Sequence, residues 1–159
     1  MTIEICITRF NNKTIRENRL WRDNNNLKGC IYGSPVKISE SILPETRVIV
    51  IEMNNSENII EGFGIIVNKL YRGNKRCKIY DENNYNRYIY ESKFRIDREE
   101  IEDKYIKDKI KEIEELLFKS KYHCKRGHGI QKLPQFIKNN KDFDYCKFIR
   151  NLCKSKFLI

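Results

Sequence analysis

Residues 47–68, RVIVIEMNNSENIIEGFGIIVN, decide the fold. The run RVIVIEM is continuously apolar, which predicts a central strand. The polar segment NNSEN predicts a turn, and IIEGFGIIV then predicts the return strand of an antiparallel hairpin. Gly62 and Gly64 fall inside that return strand, where glycine is typical of a bulge or a barrel bend.

Shorter stretches on both sides of this hairpin are also predicted to be strands. Ile3, Ile5 and Ile7 alternate with polar residues, which predicts a half-buried first strand. The other predicted strands are residues 29–39 with an interruption at Gly33-Ser34-Pro35, residues 76–80 and residues 88–96. Residues 11–28 predict a short helix and a loop. Because this series lacks a βαβ rhythm, we expect a small, mostly antiparallel β-barrel.

From Asp97 onward the apolar spacing becomes helical. It predicts one amphipathic helix over residues 98–120, a short helix near 132–138 and a last helix over 142–156. The expected protein is therefore α+β, with a barrel domain over 1–97 and a basic helical segment over 98–159 packed on it.

The positive charge is concentrated near the C-terminus. The 159 residues carry a net charge of +10, but residues 119–159 alone hold 11 Lys and Arg against two Asp. Such asymmetry is typical of a protein with a polyanionic partner, although a solvated basic face without a partner is the alternative. The sequence has neither a long apolar run nor a signal-peptide pattern, so we expect a soluble, unexported protein with reduced cysteines.

Two resemblances extend this interpretation. The hairpin with Ile60-Glu61-Gly62-Phe63-Gly64-Ile65-Ile66 resembles the paired strands of PUA-like barrels, the group that includes ASCH and EVE domains. The set GCIYGSP, VIEMNN, NNYNRYIY, FRIDREEI and HCKRGHGI resembles an uncharacterised protein family of large nucleocytoplasmic DNA viruses, and the absence of alanine fits an AT-rich source. PUA-like families imply binding of RNA or modified bases, with Trp21 as a candidate wall of a base pocket.

A third resemblance concerns the turn in residues 122–137. Tyr122, Gly127, Gly129, Phe136 and Ile137 match positions of the helix-hairpin-helix motif. Turns of this kind present backbone N–H groups to phosphate.

Enzymatic and metal-binding alternatives have weaker support from the sequence. His123, Cys124, His128, Cys146 and Cys153 could bind zinc, but the sequence contains no CxxC pair. A Cys124–His128 nucleophile pair has no acidic residue nearby to orient the histidine. A metal-dependent nuclease would need clustered carboxylates, for which the candidates are Glu52, Glu57 and Glu61.

We therefore expect a non-enzymatic nucleic-acid-binding protein, without metal or cofactor, in the cytoplasm or nucleus of a host cell or packaged in a virion. Lys and Arg would neutralise phosphates, and Tyr faces would stack on bases. The candidate contacts are Trp21, Arg87, Tyr88, Arg95, Lys119, Lys121, Lys125, Arg126, Gly127, Gly129 and Lys132. The alternative is a virion or virus–host interaction protein whose basic face meets an acidic protein, and the sequence does not distinguish DNA from RNA.

Overall fold

The computed structural model describes residues 3–71 and 77–157, the last two by their backbone alone, and the chain is α+β. Five strands form a mixed sheet in the order β6–β4–β3–β1–β7, and β2 pairs with β5 in a separate two-stranded sheet. The strands are β1 (Glu4–Phe10), β2 (Cys30–Ser34), β3 (Arg47–Asn54), β4 (Ile59–Val67), β5 (Tyr88–Ser92), β6 (Phe94–Asp97) and β7 (Gln131–Lys132). The helices are α1 (Asn12–Asn24), α2 (Lys104–Glu114), α3 (Gln135–Lys138) and α4 (Tyr145–Phe157).

The five-stranded sheet is covered on both faces, so the fold has three layers. Side chains of one face, such as Ile5, Ile51 and Phe63, form a core with the apolar faces of α2 and α4. Side chains of the other face, such as Val48 and Val50, form a second core with α1, β2 and β5. The continuous apolar run of β3 follows from this position, because a strand buried on both faces has no polar side.

The predicted hairpin and the predicted α+β class are confirmed, but the barrel is not. β3 and β4 pair antiparallel, with a register shift between Glu52 and Met53. β1, however, pairs in parallel with β3 after a crossover through α1, so the expectation of no βαβ arrangement was wrong. The described strands form an open sheet with β6 and β7 at its edges rather than a closed barrel.

Several boundaries also differ from the sequence-based expectations. β1 is buried on both faces instead of half-buried, and residues 88–96 divide between β5 and β6, which belong to different sheets. Residues 77–80 form no strand, and residue 76 of that predicted strand lies outside the described residues. The predicted helix over 98–120 is α2, preceded by a short 3₁₀ turn and continued by a π-helical turn over Glu115–Lys119.

A buried ion pair connects the two sheets. The guanidinium of Arg95 on β6 donates to both carboxylate oxygens of Glu52 on β3, at 2.6 and 3.0 Å. The hydroxyl of Tyr32 on β2 donates to the same carboxylate at 2.6 Å, and Arg95 also donates to Asp97 at 2.7 Å. Burial alone would lower the pKa of Arg95, but the Glu52 carboxylate outweighs it and raises that pKa above its ordinary value.

The glycines of β4 make room for this ion pair. A Cβ on Gly62 would lie 2.7 Å from Nη2 of Arg95, and a Cβ on Gly64 would collide with the hydroxyl of Tyr32 and lie 2.7 Å from Sγ of Cys30. The two glycines thus let the side chains of Arg95 and Tyr32 pass over one face of β4. Phe63, which lies between them, fills the core on the other face.

We expect Gly64→Ala to lower the free energy of unfolding by about 1–3 kcal/mol, because the added methyl overpacks the contact with Tyr32. Chemical denaturation of the wild type, G64A, Y32F and the double variant would measure this. The two changes should be non-additive, since Y32F removes the hydroxyl that the new methyl meets. Strict additivity would show that the steric explanation is wrong.

Candidate anion-binding cleft

A cleft of about 430 Å³ opens at the edge where the parallel strands β1 and β3 end. Its walls come from the ends of these two strands, the first turn of α1, β2, the segment 80–85 and the turn 125–129. The lining residues are Thr8, Arg9, Phe10, Asn11, Lys13, Thr14, Glu17, Tyr32, Gly33, Asn55, Tyr80, Glu82, Tyr85, Lys125, Gly127, His128 and Gly129. The cleft therefore brings together residues that are more than 100 positions apart.

The first turn of α1 contributes side chains rather than free amides. Asn11 caps the helix and forms a capping box with Thr14, so the Thr14 amide donates to Asn11 Oδ1 at 2.8 Å. The Asn12 amide donates to the hydroxyl of Ser56 at 3.0 Å. Two of the first three amides of α1 are therefore satisfied by side chains, and Lys13 lines the cleft at this turn.

The turn 125–129 is held in place from several sides. The Cys124 amide donates to the carbonyl of Leu117 at 2.7 Å, and the Cys124 carbonyl accepts from Nε of Arg9 at 2.7 Å. The Lys125 carbonyl accepts from Nδ2 of Asn55 at 2.8 Å. The π-helical turn after α2, the strand β1 and the residue after β3 thus all fix the N-terminal end of the turn.

Both glycines of the turn adopt backbone conformations that favour glycine. Gly127 has φ +134° and Gly129 has φ +69°. A Cβ on Gly127 would also lie 2.8 Å from Nη1 of Arg9, and one on Gly129 would collide with the hydroxyl oxygen of Ser34. The glycines allow the turn to pack against β1 on one side and against β2 on the other.

The backbone amides of residues 125–129 have no acceptor within the described parts of the chain. Four of these five residues, Lys125, Gly127, His128 and Gly129, line the cleft. Consecutive amides in a glycine-containing turn form a concave donor surface that suits an anion. This turn therefore has the donors that a phosphate group requires.

Arg9 adds a cation that is only partly solvated. Its guanidinium donates to the carbonyl of Cys124 and, at 2.8 Å, to Oε1 of Gln131, which are both neutral acceptors. No carboxylate within residues 3–71 or 77–157 forms an ion pair with it. Burial lowers the pKa of Arg9, as expected for a charge that has lost part of its solvation without gaining a counterion.

Two aromatic side chains, Tyr80 and Tyr85, also line the cleft. Tyr85 is half-buried, and its ring lies edge-on to Tyr80 with 6.4 Å between centroids. Its backbone carbonyl contacts Gly33 so closely that no side chain would fit there. The buried Tyr80 hydroxyl accepts from Nδ2 of Asn18 at 3.0 Å, which fixes this wall to α1.

The structure distributes the candidate contacts over several places. Lys125, Gly127 and Gly129 line the cleft. Lys121, Arg126 and Lys132 are exposed close to it in sequence, and exposed Lys119 pairs with Glu115 at 3.2 Å. Arg87 is exposed and, like Lys37, lies over the ring of half-buried Tyr88. Trp21 packs half-buried against the second core and does not line the cleft.

The prediction of Arg95 as a nucleic-acid contact was wrong. Its side chain is 4% exposed and is occupied by Glu52 and Asp97, so it cannot reach a phosphate. The helix-hairpin-helix resemblance also differs from the structure, because β7 follows the turn and pairs with β1 where a second helix was expected.

The metal and nucleophile alternatives gain no support. Among the described residues, no group of three or more His, Cys, Asp or Glu side chains could hold a metal ion. Cys124 is buried in the first core, and burial raises its pKa, which disfavours the thiolate. The carboxylate of Glu52 is taken up by Arg95, and that of Glu61 accepts from Arg19 at 2.9 Å.

Sequence reasoning named Tyr85 among the tyrosines that could stack on bases, but it missed Arg9 and Asn55. A signal for Arg9 exists, because it is a charged residue in ICITRF, directly before the Asn-rich start of a helix. Asn55 lies in a polar loop, where composition gives no indication of which side chain contacts the rest of the protein.

Within the described residues, no helix is both long and apolar enough to cross a membrane.

Comparisons with known proteins give no relative. No protein-family model, no curated protein and no solved structure matches the chain.

Replacing Arg95 tests its structural assignment, and Arg87 provides a matched control. We expect Arg95→Leu to lower the free energy of unfolding by about 3–5 kcal/mol, because Glu52 would remain buried without its counterion. Arg87→Leu should change it by less than about 0.5 kcal/mol, since that side chain is exposed. Urea denaturation of both variants would measure the difference, and equal effects would show that the ion pair is not needed for the fold.

Proposed function

We propose that this protein binds nucleic acid without catalysing a reaction and that the cleft with its adjoining basic surface holds the phosphates. The observation that carries the proposal is the convergence of the unpaired amides of residues 125–129 with Arg9, Lys13 and Lys125 in one cleft. The partly buried guanidinium of Arg9 has no carboxylate partner among the described residues, and the amides of residues 125–129 have no acceptor there. Both features favour an anionic ligand.

The exposed side chains around the cleft extend this surface. Arg126 lies within the turn, and Lys121 and Lys132 lie on its two sides in sequence; none of the three forms an ion pair with another described residue. Lys and Arg in such positions neutralise phosphates and release counterions, which gives an affinity that depends strongly on salt. Tyr85 supplies an aromatic surface of the kind on which unstacked bases pack.

The resemblance to PUA-like proteins, the viral family and the location in a host cell stay predictions, and the proposal does not depend on them. A basic face that meets an acidic protein is the second candidate function. The cleft favours nucleic acid over that candidate, because a concave site lined by both Tyr85 and the turn with its unpaired amides suits a base and a phosphate.

A salt titration distinguishes the two candidates. Binding of the full chain to a duplex and to a single strand of generic sequence, followed by fluorescence anisotropy, should weaken by more than about tenfold between 50 and 200 mM salt. The absence of binding to either probe at the lower salt concentration would contradict the proposed function.

Reversing two charges at the turn tests the location of the binding surface. We expect K125E combined with R126E to weaken binding by about tenfold or more at low salt, because two phosphate contacts become repulsive. K69E combined with K93E is the matched control, since both lysines are exposed at the opposite end of the sheet. Equal losses for the two double variants would mean that only net charge matters and that the turn is not the site.

A further inference from the structure

The charges around the cleft are not all of one sign. The turn 125–129 contributes Lys125, His128 and the unpaired amides, which we call the basic side, whereas α1 and the segment 80–85 contribute Glu17 and Glu82, which we call the acidic side. Asp81 lies beside them, with its amide donating to Glu17 at 2.8 Å and its carboxylate 3.3 Å from Lys13 Nζ. The cleft therefore has a basic side and an acidic side rather than the uniformly basic lining of a groove that follows a phosphate backbone.

This arrangement disfavours a strand that runs through the cleft. Consecutive phosphates along a strand lie within the Debye length of about 10 Å at 0.1 M salt, so a strand leaving past Glu17 and Glu82 would meet repulsion. A ligand that places one phosphate on the basic side and no phosphate on the acidic side avoids this cost. The terminal nucleotide of a strand, or a free mononucleotide, has this distribution of charge.

The size and chemistry of the walls fit one nucleotide. A volume of about 430 Å³ lies within the range of roughly 300–1,000 Å³ that is typical of small-ligand pockets. Carboxylates accept hydrogen bonds, so Glu17 and Glu82 suit sugar hydroxyls or the amino group of a base. Tyr85 provides the aromatic surface between the two sides.

We propose that the cleft binds a nucleotide through a terminal phosphomonoester, with the phosphate on the turn 125–129, Arg9 and Lys125, the base on Tyr85 and polar sugar or base groups on Glu17 and Glu82. The proposal deepens the proposed function and rests on it where the nucleotide is the end of a strand. A free nucleoside monophosphate presents the same chemistry.

The donors of the turn exceed what an internal phosphate can use. A phosphodiester carries one negative charge, whereas a phosphomonoester carries about −1.5 to −2 at pH 7 and three strong acceptor oxygens. The amides of residues 125–129 together with Arg9 and Lys125 can satisfy three oxygens, and their positive field favours the higher charge.

The test compares strands that differ only at their ends. Single-stranded oligonucleotides of one sequence are prepared with a 5′-phosphate, with a 3′-phosphate or with hydroxyl ends, and their affinities for the full chain are measured at equal ionic strength. We expect one phosphorylated end to bind at least tenfold more tightly than the hydroxyl-ended strand. Calorimetry with adenosine 5′-monophosphate and with adenosine shows whether a free nucleotide is bound as well. If the 5′-phosphorylated strand is preferred, the monophosphate should also bind.

Variants separate the cleft from the surrounding basic surface. K125A and Y85A should each reduce the preference for the phosphorylated end, K125A through the phosphate and Y85A through the base. K121A removes the same charge outside the cleft, so it should weaken all three strands equally and leave their ratio unchanged. Thermal unfolding of each variant identifies any change that arises from loss of the fold.

The outcomes for this proposal and for the proposed function are distinguishable. Equal affinity for all three strands, with strong salt dependence, overturns the terminal-nucleotide proposal and leaves nucleic-acid binding intact. Binding of the monophosphate without binding of any strand overturns the proposed function and supports the nucleotide site. A K121A variant that loses the end preference as fully as K125A does would also overturn the assignment to the cleft.

Discussion

The three-layer fold depends on the buried ion pair between Glu52 and Arg95. A carboxylate and a guanidinium that leave water lose several kcal/mol each, so the pair is tolerated only because its remaining hydrogen bonds are made. Tyr32 and Asp97 supply them. Through these contacts the central strand β3, the edge strand β6 and the separate strand β2 are fixed relative to one another. The wall of the cleft formed by Tyr32 and Gly33 is thereby positioned as well.

The parallel pair β1–β3 determines where a site can form. Because the two strands run in the same direction, Phe10 and Asn54 end together at one edge, and the chain leaves both strands there in polar loops. Asn55 and Arg9 then hold the turn 125–129 at this edge through its backbone carbonyls. The carbonyls of Cys124 and Lys125 thus attach the turn to the rest of the fold, whereas the amides of residues 125–129 have no acceptor among the described residues.

The sequence predicted the elements that depend on local patterns. The hairpin 47–68, the helical period after residue 98 and the special role of the glycines could be read from it, because apolar spacing and glycine report on the nearby backbone. The pairing of β1 with β3 could not, since strands of this kind show no signal for their partner. Arg95 was misplaced for a related reason: in FRID a charged residue beside aromatics looks exposed, and only the opposite strands reveal Glu52 as its counterion.

Not all positive side chains of the C-terminal part are available for a ligand. Lys138 pairs with Glu4 at 3.2 Å, Lys119 pairs with Glu115, and Nε of Arg150 donates to the carbonyl of Ile3 at 3.0 Å. Part of the positive charge thus attaches α3 and α4 to the start of β1, and part is neutralised within one helical turn.

The exposed Lys and Arg side chains of this part that form no ion pair with a described residue lie on α4, in the loop before it and near the turn, and charge alone does not choose between these places. Lys147 and Lys154 lie on a regular helix whose amides are already used within the helix, and Lys141 precedes that helix. At the turn, by contrast, cations stand beside backbone amides that have no acceptor among the described residues. That difference, more than the number of positive charges, makes the turn the stronger candidate for an anion site.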